Sequence, residues 1–241
     1  PEQYTRIDKL RWFITSVVQV NETSGFSISL YDGNTSSITV GHGLNSAPEW
    51  VIVKSRTHAE RWAVFHTSIS DQYIYLNETF AGSTGNADER FGNSTSVVVP
   101  NSTVVTLGAN NSDVSKNGED YVMYCFHSVE GYSKFGSYTG NGSTDGTYVH
   151  LGFRPAWIMF KRTASADSWI IHDNKRDPHN VATNNLFPNG NFAEDSASTR
   201  ATDFLSNGFK IRASAQFQNQ SGETFIYMAF AEQPFKFSNA R

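Results

Sequence analysis

Short apolar segments separated by polar turns run along the whole chain. From Phe26 to Tyr31, apolar residues alternate with serine, which is typical of a strand with one buried face. The segments from Trp50 to Lys54 and from Trp157 to Lys161 are nearly continuously apolar, which favours strands at the centre of a sheet. Clusters of Gly, Asn, Ser and Thr lie between such segments and predict tight turns. The pattern therefore predicts many short strands, with a short helix indicated only over residues 195–206.

The strand pattern occurs twice, and the two copies keep a constant spacing. Eight positions match at a distance of 107 residues without any gap. In chain order, these pairs are Tyr31 and Tyr138, Gly33 and Gly140, Asn34 and Asn141, Leu44 and Leu151, Pro48 and Pro155, Trp50 and Trp157, Lys54 and Lys161, and Trp62 and Trp169. The segment from Gly118 to Phe126 recurs from Gly222 to Phe230, now 104 residues later, so the long loops differ in length. The chain is therefore an internal duplication with units at 25–131 and 132–241, preceded by residues 1–24.

The number and spacing of these strands indicate the fold class. We predict an all-β protein with two tandem, duplicated β-sandwich units of the jelly-roll or lectin-like kind and an N-terminal arm. Each unit has about 105 residues, which is enough to bury its own core. Large aromatic side chains are expected between the sheets, principally Trp50, Trp62, Trp157 and Trp169.

Charge and cysteine content exclude several classes of protein. The chain of 241 residues has a net charge of −4, divided as 0 over 1–24, −6 over 25–131 and +2 over 132–241. It has no basic stripe of the kind that binds nucleic acid. The one cysteine, Cys125, permits neither an intrachain disulfide nor a cysteine-based zinc cluster, and we expect a buried thiol. No apolar segment of 18 residues exists, so membrane insertion is not expected.

Residues 1–24 lie outside both copies and contain one apolar run. Its members are Trp12, Phe13, Ile14, Val17 and Val18. An unpaired strand edge of this composition needs a partner. Two arrangements are open: the segment is an arm that attaches the protein to a neighbouring chain by adding a strand, or it is an extra strand on the first unit.

The densest polar cluster follows a predicted strand of the second copy, from His172 to His179. The corresponding residues of the first copy, Phe65-His66-Thr67, lack this set of charges, and chemistry confined to one copy hints at function. The candidate ligand-binding residues are His172, Asp173, Arg176 and Asp177. They could hold a cation through the carboxylates, or a sugar through planar and charged groups. The alternative is a salt-bridged loop.

The sequence contains no recognisable catalytic signature. It has no Gly-x-Ser-x-Gly and no His-Glu-x-x-His motif. The carboxylate pairs Asp88-Glu89 and Glu194-Asp195 fall in loops where we expect no apolar pocket, so the two opposed acids of a glycosidase are not indicated. The Gly-rich run 140–146 lacks the lysine and the following helix of a phosphate loop and predicts a hairpin turn. We therefore name no catalytic residue, metal ligand or cofactor.

The second copy also carries a more specific pattern. Its motifs are Tyr132-Ser-Lys-Phe-Gly-Ser-Tyr-Thr-Gly-Asn-Gly142, Gly152-Phe-Arg-Pro-Ala-Trp157, Trp169, Arg176-Asp-Pro178, the segment from Asp203 to Phe209 and that from Met228 to Glu232. With these motifs, the chain resembles a family of bacteriophage virion proteins over most of residues 25–241. The resemblance implies a tail-fibre or other surface-appendage protein, often with several such repeats and sometimes beside lectin-like domains. This chain departs from the pattern by having two repeats and a small arm, which does not suit a long fibre shaft.

From this resemblance, we expect a non-enzymatic structural protein of the virion surface. It would be made in the host cytoplasm, because the N-terminus lacks a signal-peptide layout. A tail fibre or adhesin that binds a host-surface glycan or receptor is preferred over a capsid decoration protein, and a polysaccharide depolymerase is the alternative from another class. Expected partners are other virion proteins, bound through the N-terminal arm, and further copies of the chain in a homo-oligomer such as a trimer.

Overall fold

A computed structural model describes residues 4–7 and 14–235, and it confirms the predicted all-β fold of the sandwich type. The chain forms two compact units. The first is built from residues 1–76 and 82–127, and the second from 77–81 and 128–241. No helix in the described part of the chain is long and apolar enough to cross a membrane.

The first unit has one large sheet and one small one. Its strands are β1 (Tyr4–Ile7), β2 (Ser16–Asn21), β3 (Phe26–Asp32), β4 (Ile38–Gly41), β5 (Trp50–Ser55), β6 (Ala63–His66), β7 (Ile74–Tyr75), β8 (Val104–Leu107) and β9 (Asp120–Phe126). The large antiparallel sheet has the order β1-β2-β3-β9-β5-β6-β7, and β4 pairs with β8. Short 3-10 turns follow β2 and β6, at Glu22–Ser24 and Thr67–Ile69.

The first core combines side chains from the large sheet and from the β4–β8 pair. Alternate residues of β9 point inward, so Tyr121, Met123 and Cys125 are fully buried together with Val40 of β4 and Val105 of β8. Burial raises the pKa of the Cys125 thiol well above its usual range. Cys125 is therefore the buried core thiol that the sequence predicts.

The second unit repeats the main sheet and adds short strands. Its elements are β10 (Ser133–Thr139), β11 (Tyr148–His150), β12 (Pro155–Arg162), β13 (Ile170–Asp173), β14 (Asn184–Asn185), β15 (Asp195–Ser196), β16 (Thr202–Leu205), β17 (Gly208–Ile211), the one-turn helix α1 (Gln216–Asn219) and β18 (Thr224–Ala231). The sheets have the orders β10-β18-β12-β13, β11-β17-β16 and β14-β15. The helix predicted over 195–206 is wrong. Only a 3-10 turn forms, at Ser198–Arg200, because Thr202 and Phe204 alternate inward with the period of a strand.

The duplicated framework is visible in the strand pairing. Trp50 of β5 lies opposite Phe126 of β9, and Trp157 of β12 lies opposite Phe230 of β18. The equivalent lysines at the ends of these central strands also make the same contacts. Lys54 Nζ donates to the carbonyls of Ser55 and His58, at 2.6 and 2.8 Å. Lys161 Nζ donates to the equivalent carbonyls of Arg162 and Ser165, at 2.6 and 3.0 Å. The repeated lysine therefore fixes the turn after each central strand.

The constant spacing conceals two length changes that cancel. In the first unit Val40 pairs with Val105, and in the second Val149 pairs with Phe209. Val105 and Phe209 are 104 positions apart, like the repeated segment that starts at Gly118. Val149 therefore corresponds to Val40 at a distance of 109 positions, although the flanking matched residues are 107 positions apart. The turn at 140–146 is longer by two residues, and the following turn is shorter by two. The assumption that no gap is needed is therefore wrong for this strand.

The four repeated tryptophans divide into two kinds. Trp50 and Trp169 are fully buried, but neither belongs to the core cluster of its unit, so their predicted position between the sheets is not confirmed. The core assignment is wrong for Trp62 and Trp157, which are only partly buried and pack on aromatic rings of the outer sheet faces, Tyr124 and Phe230 respectively. A register shift between Pro155 and Trp157 in β12 accompanies the exposure of Trp157.

Part of the predicted N-terminal arm is a strand of the first sheet. β2 pairs along its whole length with β3; Val18 is buried, and Ile14 packs against the first core. Residues 16–21 therefore form the extra strand rather than a separate arm, because their inward side chains complete the core. Val17 points outward and is half exposed. Trp12 and Phe13 lie outside the described residues, and attachment to another chain through this segment stays a prediction.

Candidate functional site

His172, the first predicted site residue, faces the second core from β13. Its Nε2 lies 2.7 Å from Asn185 Oδ1, and its ring meets Phe160 edge-on at 5.7 Å. Asn185 Nδ2 donates to the carbonyls of Thr183 and Asp195, so Asn185 Oδ1 is the acceptor and His172 Nε2 carries the hydrogen. Burial lowers the pKa of His172 to about 4, and the imidazole is therefore neutral at pH 7.

Asp173 and Arg176 hold the turn that follows β13. Asp173 Oδ1 accepts from the backbone N–H groups of Lys175 and Arg176, both at 2.9 Å, and Arg176 Nε donates to Asp173 Oδ2 at 2.7 Å. Burial opposes ionisation of Asp173, but the hydrogen bonds from the Arg176 backbone and side chain outweigh it and lower the pKa of the carboxyl group. Arg176 also donates to Glu194, at 3.2 Å. These residues therefore form an ion-paired turn.

In the first unit, the residue at the position of Asp173 is His66, and its side chain also accepts a hydrogen bond from the turn that follows the strand. His66 lies opposite Trp50 as Asp173 lies opposite Trp157, and His66 Nδ1 accepts from the backbone N–H of Ser68 at 2.9 Å. A side chain that caps the turn is thus common to both units, whereas the charge is not.

Asp177 closes the next loop. Its Oδ2 accepts from the backbone N–H groups of Thr183 and Asn184 at 2.8 and 2.7 Å, and its Oδ1 accepts from Asn184 Nδ2 at 2.8 Å. Within the described residues, no group of three or more His, Cys, Asp or Glu side chains could hold a metal ion. The contacts described for the four predicted residues are with other residues of the second unit, and ligand binding by them stays a prediction.

Beside this cluster, the second unit has an open cavity of about 320 Å³. It is lined by Ser168, Ile170, Phe187, Phe192, Ala193, Asp195, Arg200 and Phe217. Most of these side chains are apolar. Phe187 and Phe192 meet edge to face at 5.9 Å, and Phe192 is 63% exposed at the mouth. An aromatic cavity with few polar groups is the usual form of a small-ligand site.

Arg200 supplies the main polar feature of the cavity. Its guanidinium lies over the rings of Phe187 and Phe217, 5.3 and 5.6 Å from their centroids, and pairs with the Asp195 carboxylate. Arg200 Nε is buried and has no hydrogen-bond partner among the described residues. Burial lowers the pKa of Arg200, although the guanidinium stays charged near neutral pH. The cavity wall therefore contains a guanidinium group and a carboxylate among aromatic rings.

A family model described as a domain of unknown function, DUF7483, matches residues 11–234. The chain belongs to the DUF7483 family. No curated protein and no solved structure matches it. Because the match spans both units, the duplicated framework and the cavity loops are parts of the same DUF7483 domain.

The cavity of this DUF7483 domain contradicts one expectation from the sequence. Asp195 belongs to a carboxylate pair that was expected to lie away from any apolar pocket, but it lies in the wall of an aromatic one. Phe187 and Phe192 come from the loop between β14 and β15, and Phe217 comes from α1, so no local pattern reveals the cavity. The available signal was the presence of Phe187 and Phe192 within an otherwise polar stretch.

Proposed function

We propose that this chain is a non-enzymatic protein of a phage virion surface, of the tail-fibre or adhesin type, which binds a host-surface glycan through the loops of its second unit. The observation that carries the proposal is the aromatic cavity beside the His172–Asp177 cluster. The resemblance of the repeats to virion surface proteins supports the setting. The cavity supports a binding role, because aromatic faces with a few polar groups at the rim suit ligands that have both apolar and polar surfaces.

The side chains around the cavity favour binding over hydrolysis. A glycosidase needs two carboxyl groups on opposite sides of the scissile bond. The cavity lining contains one carboxylate, Asp195, and this group is paired with Arg200. We therefore place the chain among binding proteins rather than depolymerases.

The proposal is tested with the whole chain on a glycan array and on host cells. We expect saturable binding to a subset of glycans, and Phe192→Ala should weaken it about tenfold, the effect of losing about 1.4 kcal/mol of contact energy. Phe80→Ala is the matched control, because Phe80 is also exposed, at 48%, and does not line the cavity.

Three results would contradict the proposal. Equal binding by both variants would place the glycan site elsewhere. Antibody labelling of the capsid shell, with no binding to cells, would favour the decoration protein. Release of sugar fragments from host polysaccharide would show a depolymerase.

A further inference from the structure

The chemistry of the cavity wall narrows the class of ligand. Three phenylalanines, Phe187, Phe192 and Phe217, are among the five apolar residues of the lining. A sugar that carries a hydroxyl group on nearly every carbon would bury some of them against these rings without a hydrogen bond, which is unfavourable. The group that enters the cavity must therefore include an apolar part.

The ligand also needs a polar part that complements the polar atoms of the cavity. Arg200 Nε is a buried N–H donor without a partner among the described residues, and the Asp195 carboxylate beside it is an acceptor. A ligand that accepts a hydrogen bond from the Arg200 guanidinium at the cavity wall gains affinity, and one that reached the buried Nε would also remove the cost of its missing partner. A ligand with an adjacent acceptor and donor would satisfy both side chains.

The charge of the cavity selects a neutral ligand. Arg200 and Asp195 are the charged residues of the lining, and they neutralise each other through their ion pair. A phosphate or carboxylate would have to compete with Asp195 for Arg200 and would repel that carboxylate. The site therefore does not favour an anionic group.

We propose that the cavity binds the acetamido group of an N-acetylated sugar residue, with the methyl group against the phenylalanines, the carbonyl accepting from Arg200 and the N–H donating to Asp195. A methyl group, an acceptor and a donor are combined in this one neutral group. The exposed ring of Phe192 at the mouth can support the apolar face of the sugar ring. This inference rests on the proposed function and specifies its ligand.

The test compares chito-oligosaccharides with their N-deacetylated counterparts, using saturation-transfer NMR and calorimetry on the whole chain. We expect binding of the acetylated oligomer, with saturation transfer strongest at the methyl protons, and at least about tenfold weaker binding of the deacetylated one. Because the deacetylated oligomer is cationic, a glucose oligomer of equal length serves as a neutral comparison and should bind as weakly.

Variants separate recognition of the amide from simple packing. Arg200→Lys keeps a positive charge beside Asp195 but removes the Nε donor, so it should lower affinity for the acetylated oligomer about tenfold. Phe192→Ala should lower it to a similar extent, whereas Phe80→Ala should leave it unchanged. Circular dichroism of each variant checks that the fold is retained.

Two outcomes would overturn the inference. The first would leave the proposed glycan-binding function intact, and the second would refute that function as well. Equal binding of acetylated and glucose oligomers, lost in Phe192→Ala, would refute acetamido recognition while supporting a glycan-binding site. Binding of N-acetylglycine methylamide, with no binding of any glycan, would refute both by showing a peptide-type ligand.

Discussion

The two units close their long connecting loops in opposite ways, although each uses an arginine placed over aromatic rings. In the first unit, Arg90 lies 4.2 Å from the ring centroid of Tyr73 and donates to both Asp113 and the Tyr75 hydroxyl. In the second, Arg200 has one acidic partner and borders a cavity. The same framework therefore carries a closed polar cluster in one unit and an open aromatic site in the other.

This difference shows where the duplicated chain could change without unfolding. The strand pairs and the lysine at the end of each central strand are the same in both units. These features hold the sheets together regardless of the loop that follows β6 or β13. The loops could therefore diverge in length and chemistry, and the function is expected where they differ.

The largest expected effect is a difference in the free energy of unfolding between variants of two tryptophans at equivalent positions. Trp50→Ala removes a fully buried side chain and should destabilise the first unit by about 3–5 kcal/mol. Trp157→Ala should cost clearly less, because Trp157 is partly exposed. Urea unfolding of both variants measures the difference, with Asp145→Ala, in an exposed turn, as a control that should unfold like the unaltered chain. Equal costs at the two positions would contradict the assigned difference in burial.

The next largest effect is the difference in stability loss between variants of the two aspartates that pair with the arginines. Asp113→Ala removes the carboxylate that accepts from the Tyr75 hydroxyl and pairs with Arg90. It should destabilise the chain by about 3 kcal/mol. Asp195→Ala should cost at most about 1 kcal/mol, because the Asp195 side chain is 47% exposed. Thermal unfolding of both variants tests this order. A larger cost at Asp195 would show that the second cluster is also structural.

The buried lysine of the second unit predicts that stability depends on pH. Lys161 is fully buried, and burial lowers its pKa to about 8 from the usual 10.5. Between these values the unfolded chain holds more protons on this residue, so the free energy of unfolding rises with pH. The expected gain is about 1–3 kcal/mol from pH 8 to 10.5 relative to Lys161→Met. Denaturant titrations across this range measure it, and a decline relative to the variant would refute the assigned pKa direction.

The smallest effect tests the N-terminal strand. Val18→Ala should destabilise the first unit by about 1–2 kcal/mol, because Val18 is buried. Val17→Ala should change stability by no more than about 0.5 kcal/mol, because Val17 is half exposed. If the strand also attaches the protein to the virion, Val17→Asp should reduce incorporation into particles while the melting temperature is preserved. Loss of stability in Val17→Asp would remove this evidence for attachment.

The framework could be predicted from sequence because its signals are local and periodic. The alternation of β3, the apolar runs of β5 and β12 and the matching turn residues all specify strands without reference to distant residues. The cavity could not be predicted in this way. Its lining comes from β13, β15, two loops, a 3-10 turn and α1, and the conformation of such connecting segments depends on tertiary contacts rather than on a repeating pattern.

The individual site residues show the same limit. His172 stands among charged residues in the sequence, but the strand period turns its ring into the core. Asp173 and Asp177 have the composition of a cation site, but backbone N–H groups and neighbouring side chains occupy their oxygens. Sequence identifies which groups are present, whereas their partners depend on where the loop folds back.

The strand β2 has a further consequence for the colloidal behaviour of the protein. It covers β3, whereas the equivalent strand β10 is the edge of its sheet in the described part of the chain. Ser27 of β3 is fully buried, and the residue 107 positions later is Lys134, whose Nζ donates to the His150 carbonyl at 2.8 Å. A charged side chain on an open strand discourages other chains from extending the sheet. We therefore expect Lys134 to disfavour the pairing of other chains with β10, the edge that lacks an equivalent of β2 among the described residues.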